Sequence, residues 1–311
     1  MAKFEEAVRD HTAGDPMDER VRWTNLTQAQ IAAAMDAAGT PASRHVVRQL
    51  LARLGFVKRK ARKTLAMGTH PDRNAQFENI ARLKREYQKR KQPVISIDTK
   101  KKELLGNFAP PGQLFTREPV HVFDHDFGGQ ARGVAIPHGV YDLRLNHGHV
   151  TLGISHDTSE FAADSVLLWW RKEGQSRYPD ARRLLVLCDG GGSNGCTYLF
   201  KSAVQRVADE TGLEVRIAHY PPYTSKYNPI EHRLFPHLSR ACRGVVLHTV
   251  ELVRDLMETT YTATGLEVSV DILRRTYQTG LKATAEMKAQ LQLLCDDHLG
   301  QWNYRLFPNP A

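Results

Sequence analysis

The stretch RLLVLCDGGGSNG, Arg183 to Gly195, decides how the rest of the chain reads. Leu184 to Cys188 form an apolar run of strand length, and it stops on a carboxylate, Asp189, followed by three glycines. Such a run suits a strand buried on both faces, as in a parallel sheet covered by helices. In open α/β sheets ligands gather beyond the carboxyl ends of the strands, so an acid delivered there is placed to build a site. Downstream, Val215 to Ala218 predict a neighbouring strand, Pro221-Pro222 break it, and Asn228-Pro229 open a helix with proline at its first position. Glu231 then falls in the first turn of that helix. Two acids on separate elements point to a shared cation, although Asp189 capping a turn and Glu231 offsetting the helix dipole account for the same residues.

At 311 residues, 41% of them hydrophobic, the chain has material for one sizeable domain and a smaller companion. No run reaches the roughly 20 apolar residues of a membrane span, and the first residues, MAKFEEAVRDHTAGD, lack a signal-peptide centre. A cytoplasmic protein is expected, associated with the nucleoid when bound to DNA. Cys188, Cys196, Cys242 and Cys295 show no CxxC pairing, which argues against a zinc knuckle or a disulfide framework. The net charge of +9 is concentrated early: KRKARK (Lys58 to Lys63) and KREYQKRK (Lys84 to Lys91) favour a polyanion partner over a merely solvated face.

Residues 1–24 read as a short lead-in with a helix from Lys3 to His11. Thr27 is a natural N-cap for a helix that Gly39 ends, and Thr40-Pro41 open a second, with Val46, Val47, Leu50, Leu51 and Leu54 at helical spacing. Two short helices joined by a glycine turn predict an all-α helix-turn-helix region over residues 1–70. It leaves Ser43, Arg44, His45 and Arg48 outermost, and Lys58, Arg59 and Lys60 follow for phosphate contact. An ordinary helical hairpin has the same pattern.

Residues 71–92 read as a charged linker helix, with Phe77, Ile80, Leu83 and Tyr87 on one face. Val94 to Ile97 are a β-rich run ending in Asp98. Asp124 and Asp126 follow another short strand and compete with Asp98 for the place of a third acid. Gly133 to Leu145 and His149 to Ser155 predict a hairpin, and Asp157-Thr158 cap a helix running to Gly174. His147 and His149 have metal-ligand spacing, but an exposed hairpin turn explains them as well. Trp169 and Trp170 read as packing residues. Past Glu231 the helix is interrupted at Pro236, another helix spans Thr249 to Thr262, and Trp302, Tyr304 and Phe307 in the tail are placed to dock on the core.

PPYTSKYNPIEHRLF (Pro221 to Phe235) resembles the PPY(S/T)xxxNPIE box of mariner-like and insertion-sequence transposases. With CDGGGSNG upstream, the chain resembles the Rhodopirellula-type DDE transposases of bacterial insertion sequences from about residue 20 onward. The resemblance implies a ribonuclease-H-like mixed sheet flanked by helices over residues 93–311. It also implies a triad of Asp98, Asp189 and Glu231 binding two Mg²⁺ or Mn²⁺ ions, and metal-dependent cleavage and strand transfer at element ends. Asp98 takes precedence over Asp124 and Asp126 because a hairpin and a helix then follow it in the order such a core requires. Implied partners are double-stranded DNA (terminal repeats and target) and further copies of the chain, with Lys226 and Arg233 beside Glu231 for phosphates. Members of that family commonly carry a further N-terminal helix-turn-helix, for which this chain starts too late; end recognition would then be incomplete or supplied by another polypeptide. A regulator without catalysis and a structure-selective nuclease on the same fold are the alternative functions.

Overall fold

The computed structural model describes residues 2–9, 12–15, 18–59, 68 and 70–310, and of residues 2, 12–15 and 18–23 the backbone only. The chain divides into two compact units, Met1–Leu65 and Ala66–Ala311.

In the first unit, α1 (Ala2–Val8) precedes an antiparallel hairpin of β1 (Thr12–Asp15) and β2 (Asp18–Thr24). Helices α2 (Gln28–Ala37) and α3 (Arg44–Arg53) follow. Thr27 caps α2 in a reciprocal box with Gln30, which satisfies two backbone donors at the helix start. Gly39 and Gly55 follow the two helices at positive φ. Phe4, Val8, Ile31, Met35 and Val47 make a small core. Two expectations need correction. The unit is not all-α, because residues taken as a lead-in form the hairpin. And α3 begins at Arg44 rather than after Thr40-Pro41, because the Ser43 hydroxyl accepts the Val46 N–H and supplies the cap. Of the two valines expected on the apolar face, Val47 is buried and Val46 is turned outward.

The second unit is a mixed sheet with helices on both faces. Helix α4 (Arg73–Lys89) leads into β3 (Val94–Thr99), β4 (Glu103–Leu105), β5 (Gly133–Asp142) and β6 (His147–Gly153). Helix α5 (Ser159–Trp169) runs through a π turn at Trp170–Gly174 into α6 (Gln175–Arg177). After β7 (Arg183–Cys188), α7 (Tyr198–Thr211) and β8 (Glu214–His219) come α8 (Pro229–Arg233), α9 (Phe235–Ala241) and α10 (Val250–Glu258). The chain closes with β9 (Glu267–Leu273), α11 (Ala285–Ala289), β10 (Leu293–Cys295) and β11 (Asn303–Leu306).

Across the sheet the order is β10-β11-β8-β7-β3-β5-β6-β9, with β4 paired to β5. Strands β3, β7 and β8 run parallel at the centre; β5 is antiparallel to β3 and β6 to β5. Successive residues of a strand face opposite sides, and the cores divide accordingly. Ile95, Ile97, Leu184 and Val186 pack against α5 and α7. Val94, Leu185 and Leu187 pack against Ile80, Leu83 and Tyr87 of α4. Farther along that second face, α8 to α10 cover β5, β6 and β9 through Ile230, Leu234, Leu238 and Val253.

Contact between α8–α9 and the sheet depends on two glycines. A β-carbon on Gly139 would lie 2.7 Å from Ile230 Cδ1, and one on Gly148 would lie 2.5 Å from Leu234 Cδ1. A side chain at either position would force the ends of those buried apolar side chains to move. Gly139 pairs with Asp98 in the β3–β5 ladder, so the close approach occurs beside that acid.

Candidate active site

Two strand-borne acids and one helix-borne acid lie within electrostatic reach of one another at the carboxyl ends of the central strands. Val94, Ile95 and Ser96 of β3 pair in parallel with Leu185, Val186 and Leu187 of β7. Continuing that register two residues brings Asp98 across from Asp189. Both alternate onto the face that carries α4 and α8. Glu231 arrives in the first turn of α8, after Pro229 at its first position.

A buried clamp fixes that helix to the strand. The Ser96 hydroxyl donates to Asn228 Oδ1 and accepts the Ile230 N–H at 3.2 Å, while Asn228 Nδ2 donates to the Ile97 carbonyl at 3.1 Å. Asn228 is fully buried and does not cap its own helix; its amide is committed to β3. Ser96 and Asp98 share one face of the strand, so the clamp sets where Glu231 stands relative to Asp98. Sequence reasoning missed this pair. The available signals were a small polar residue inside an apolar strand run and an asparagine before the proline.

The electrostatics link the acids. Burial, then the Asp189 charge and to a lesser extent that of Glu231, push the Asp98 carboxyl up to about 7, against the pull of the Thr99 N–H and the Asn228 amide. Asp189 is raised mainly by burial and also by Asp157, with the Gly191 N–H opposing. Glu231 is raised by burial and by Asp189, while His232 and Lys100 oppose. Carboxylates that disfavour one another's ionisation form a site in want of positive charge. Their oxygens are suitable donors for a hard divalent cation. Among the described residues, however, no three His, Cys, Asp or Glu side chains stand close enough to hold an ion as placed. The acids share a field without converging on one point.

Asp124 and Asp126 lie in an exposed irregular segment, and the short strand expected before them is absent among the described residues. Asp124 pairs with His125 at 3.1 Å. Asp126 borders the same cleft of about 870 Å³ as Glu231, together with Lys100, Lys101, Lys102 and Phe235. The lysine run went unremarked in the sequence. Lys100 is buried and paired with Glu103, whereas Lys101 and Lys102 are open to solvent.

Lys226 and Arg233 are exposed on either side of Glu231. In the N-terminal unit Arg44, His45, Arg48, Lys58 and Arg59 are exposed. The Arg48 guanidinium lies 3.2 Å from His45 Nδ1. Ser43 is exposed too, but its hydroxyl is engaged as the α3 cap. Lys60 and the rest of KRKARK lie outside the described residues. His147 and His149 are not in an exposed turn: they are buried on β6, where Glu173 lies 2.9 Å from His147 Nδ1 and 3.0 Å from His149 Nδ1. Trp169 and Trp170 are both buried. No described helix is long and apolar enough to cross a membrane.

The profile of the Rhodopirellula transposase DDE domain matches residues 3–308 of this chain. Among curated proteins no match is found. Solved structures with similarity include a Mos1 transposase paired-end complex with the left transposon end and a Mos1 strand transfer complex. For each the sequence identity is 14% and the TM-score 0.43, over 82% of this chain and 68% of the other. A Mos1 mariner paired-end complex with Mn gives the same identity and TM-score, over 82% of this chain and 69% of that one.

Proposed function

Since this chain belongs to the Rhodopirellula transposase DDE-domain family, we propose that it cleaves and joins DNA strands at the ends of an insertion sequence, using Asp98, Asp189 and Glu231 as its catalytic acids. The observation that carries the reading is the shared field of two strand-borne acids and one helix-borne acid, each carboxyl raised by burial and by a neighbouring acid. The triad is the set that would hold divalent cations, Mg²⁺ or Mn²⁺, as a pair. When bound, such ions supply activation of the attacking oxygen and stabilisation of the leaving one.

The chain's own residues have separable tasks. Ser96 and Asn228 hold α8 against β3 so that Glu231 faces the strand acids. Lys101, Lys102 and Lys226 provide phosphate contacts beside them. Attack by water breaks one phosphodiester bond and leaves a 3′-hydroxyl; attack by that hydroxyl on target DNA forms one phosphodiester as another breaks, so no covalent enzyme intermediate is required. Arg44, Arg48, Lys58, Arg59 and Lys60 serve recognition of double-stranded terminal DNA, with Ser43 kept as a helix cap rather than a base contact. Pairing of two ends calls for more than one copy of the chain.

Incubating the purified protein with Mg²⁺ and the element's own ends tests the proposal. Strand breaks at the element boundary are expected, and Asp189→Asn and Glu231→Gln should abolish them while leaving DNA retention intact. Cleavage like that of wild type in either variant would remove the assignment.

A further inference from the structure

The turn just ahead of Glu231 exposes two aromatic rings among cations. Tyr223 has φ +61°, the left-handed region that a bulky side chain rarely adopts and that Gly or Asn enters at less cost. Its surroundings enforce that conformation. Pro221-Pro222 precede it, the buried Thr224 hydroxyl donates to the Pro221 carbonyl, and the Tyr227 N–H donates to the Thr224 carbonyl at 2.8 Å. A strained residue held this firmly is a pointer to function. The backbone cost delivers nothing to the core, for Tyr223 remains 60% exposed. Among the described residues Gly68 lies against one edge of its ring, where a β-carbon would stand 2.7 Å from Tyr223 Cε2.

Tyr227, 46% exposed, is anchored from below. Phe77 meets it edge-on with centroids 5.1 Å apart, and the Arg73 guanidinium lies 5.7 Å from its ring centre. The Lys226 ammonium stands 5.3 Å from the same centre. Exposed aromatic faces beside cations are the elements with which proteins hold unpaired nucleotides, the ring taking the base and the cation the phosphate.

We propose that Tyr223 and Tyr227 form a stacking platform for an unpaired base of the DNA strand whose backbone passes the acid cluster, with Lys226 taking the adjoining phosphate. The proposal rests on the reading of that cluster as a DNA-processing site. It adds that the strand is unpaired where it crosses the turn. Tyr227, fixed by Phe77 and Arg73, provides the rigid face, and the more exposed Tyr223 provides the adjustable one.

The test uses the full chain in metal-free buffer and a duplex ending in a short overhang that carries one 2-aminopurine. Stacking on tyrosine quenches this probe. Wild type and Tyr223→Phe should quench it alike. Tyr223→Asn, which suits the left-handed backbone, should lose most of the quenching and bind the overhang about tenfold more weakly, with blunt duplex binding unchanged and thermal stability unchanged or higher. Undiminished quenching in Tyr223→Asn, or none in wild type, overturns the platform. Cleavage by wild type with Mg²⁺, assayed separately, reports on the catalytic reading. Stacking without cleavage would sink that reading alone, and cleavage without stacking would sink the platform alone.

Discussion

Two short segments of this chain are written alike and end in opposite environments. VISID (Val94 to Asp98) and VHVFDHD (Val120 to Asp126) both open on apolar residues and place acids at two-residue strand spacing behind them. The first is the central strand β3, buried from Val94 to Ile97 and paired on both edges, with β5 and β7. The second is irregular and exposed along its whole length, and every residue from 111 to 130 is exposed. What separates them is their neighbours. VISID has a parallel strand on one side, an antiparallel strand on the other, and helices α4 and α5 above and below. A two-residue period specifies which residues share a face, and the rest of the chain decides whether that face is covered.

The largest expected difference between the segments is in strand cleavage. Asp98→Asn should reduce cleavage at the element ends by a factor of about a thousand or more, on the scale of losing a principal electrostatic contributor to the transition state. Asp124→Asn and Asp126→Asn should stay within a few-fold of wild type. Gel assays of end cleavage in Mg²⁺ settle this. An Asp126→Asn collapse with an active Asp98→Asn would move the first acid to the cleft-lining loop.

Much of the sheet was legible because its signals are local. The apolar run at β7, the turn at Asn146 between β5 and β6, and the threonine caps at Thr27 and Thr158 each lie within a few residues of the structure they produce. What stayed hidden depends on partners distant in sequence. Strand β11 lies in the tail whose aromatics read as docking on the core, yet it also pairs with β8 and extends the sheet, burying Tyr304. His147 and His149 looked like turn residues until Glu173, on the π turn after α5, supplied the buried partner. The strand-borne Asp189 and the helix-borne Glu231 were legible as acids at the ends of elements. The Ser96–Asn228 clamp joins residues far apart in sequence, and neither the polar residue in the strand nor the asparagine before the proline names the other as its partner.

A second contrast concerns pH. Folded Asp98 titrates near 7, whereas the unfolded residue titrates near its ordinary value of about 3.9. Between those values the folded protein keeps a proton that the unfolded chain has released. Its contribution to stability is therefore complete below pH about 4 and lost as pH rises through 7. In metal-free protein, Asp98→Asn should unfold like wild type near pH 4 and be more stable at pH 8, by an amount on the order of a few kcal/mol at about 1.4 kcal/mol per unit. Asp124→Asn, on an exposed side chain, should track wild type at both values. Melting curves across that range check the sign, and equal destabilisation of Asp98→Asn at both ends would show that the site does not strain the ionised acid.

The clamp should matter less than the acid but more than any hydroxyl of the exposed segment. Ser96→Ala strands a buried asparagine oxygen and the Ile230 N–H, at about 1 to 3 kcal/mol. Thr116 also makes a hydrogen bond, to the Glu118 carbonyl at 2.8 Å, but in solvent. Thr116→Ala should therefore fall within about 0.5 kcal/mol of wild type. Chemical denaturation reads both, and a neutral Ser96→Ala would mean that α8 is held by apolar packing alone.

The smallest effect is expected from the most exposed aromatic ring of the exposed segment. Phe115 is fully open to solvent, so folding removes none of its surface from water and the usual gain from burying an aromatic ring is not realised. Phe115→Ser should change the unfolding free energy by less than about 0.5 kcal/mol. Ile97, a smaller side chain buried between β5 and β7, should cost about 2 to 5 kcal/mol as Ile97→Ala. The two measurements compare an apolar residue of the exposed 111–130 segment with one of β3, so a difference between them reports mainly on covering. If Phe115→Ser destabilises the isolated chain as strongly as Ile97→Ala, the 111–130 segment is packed in solution and the contrast with β3 fails.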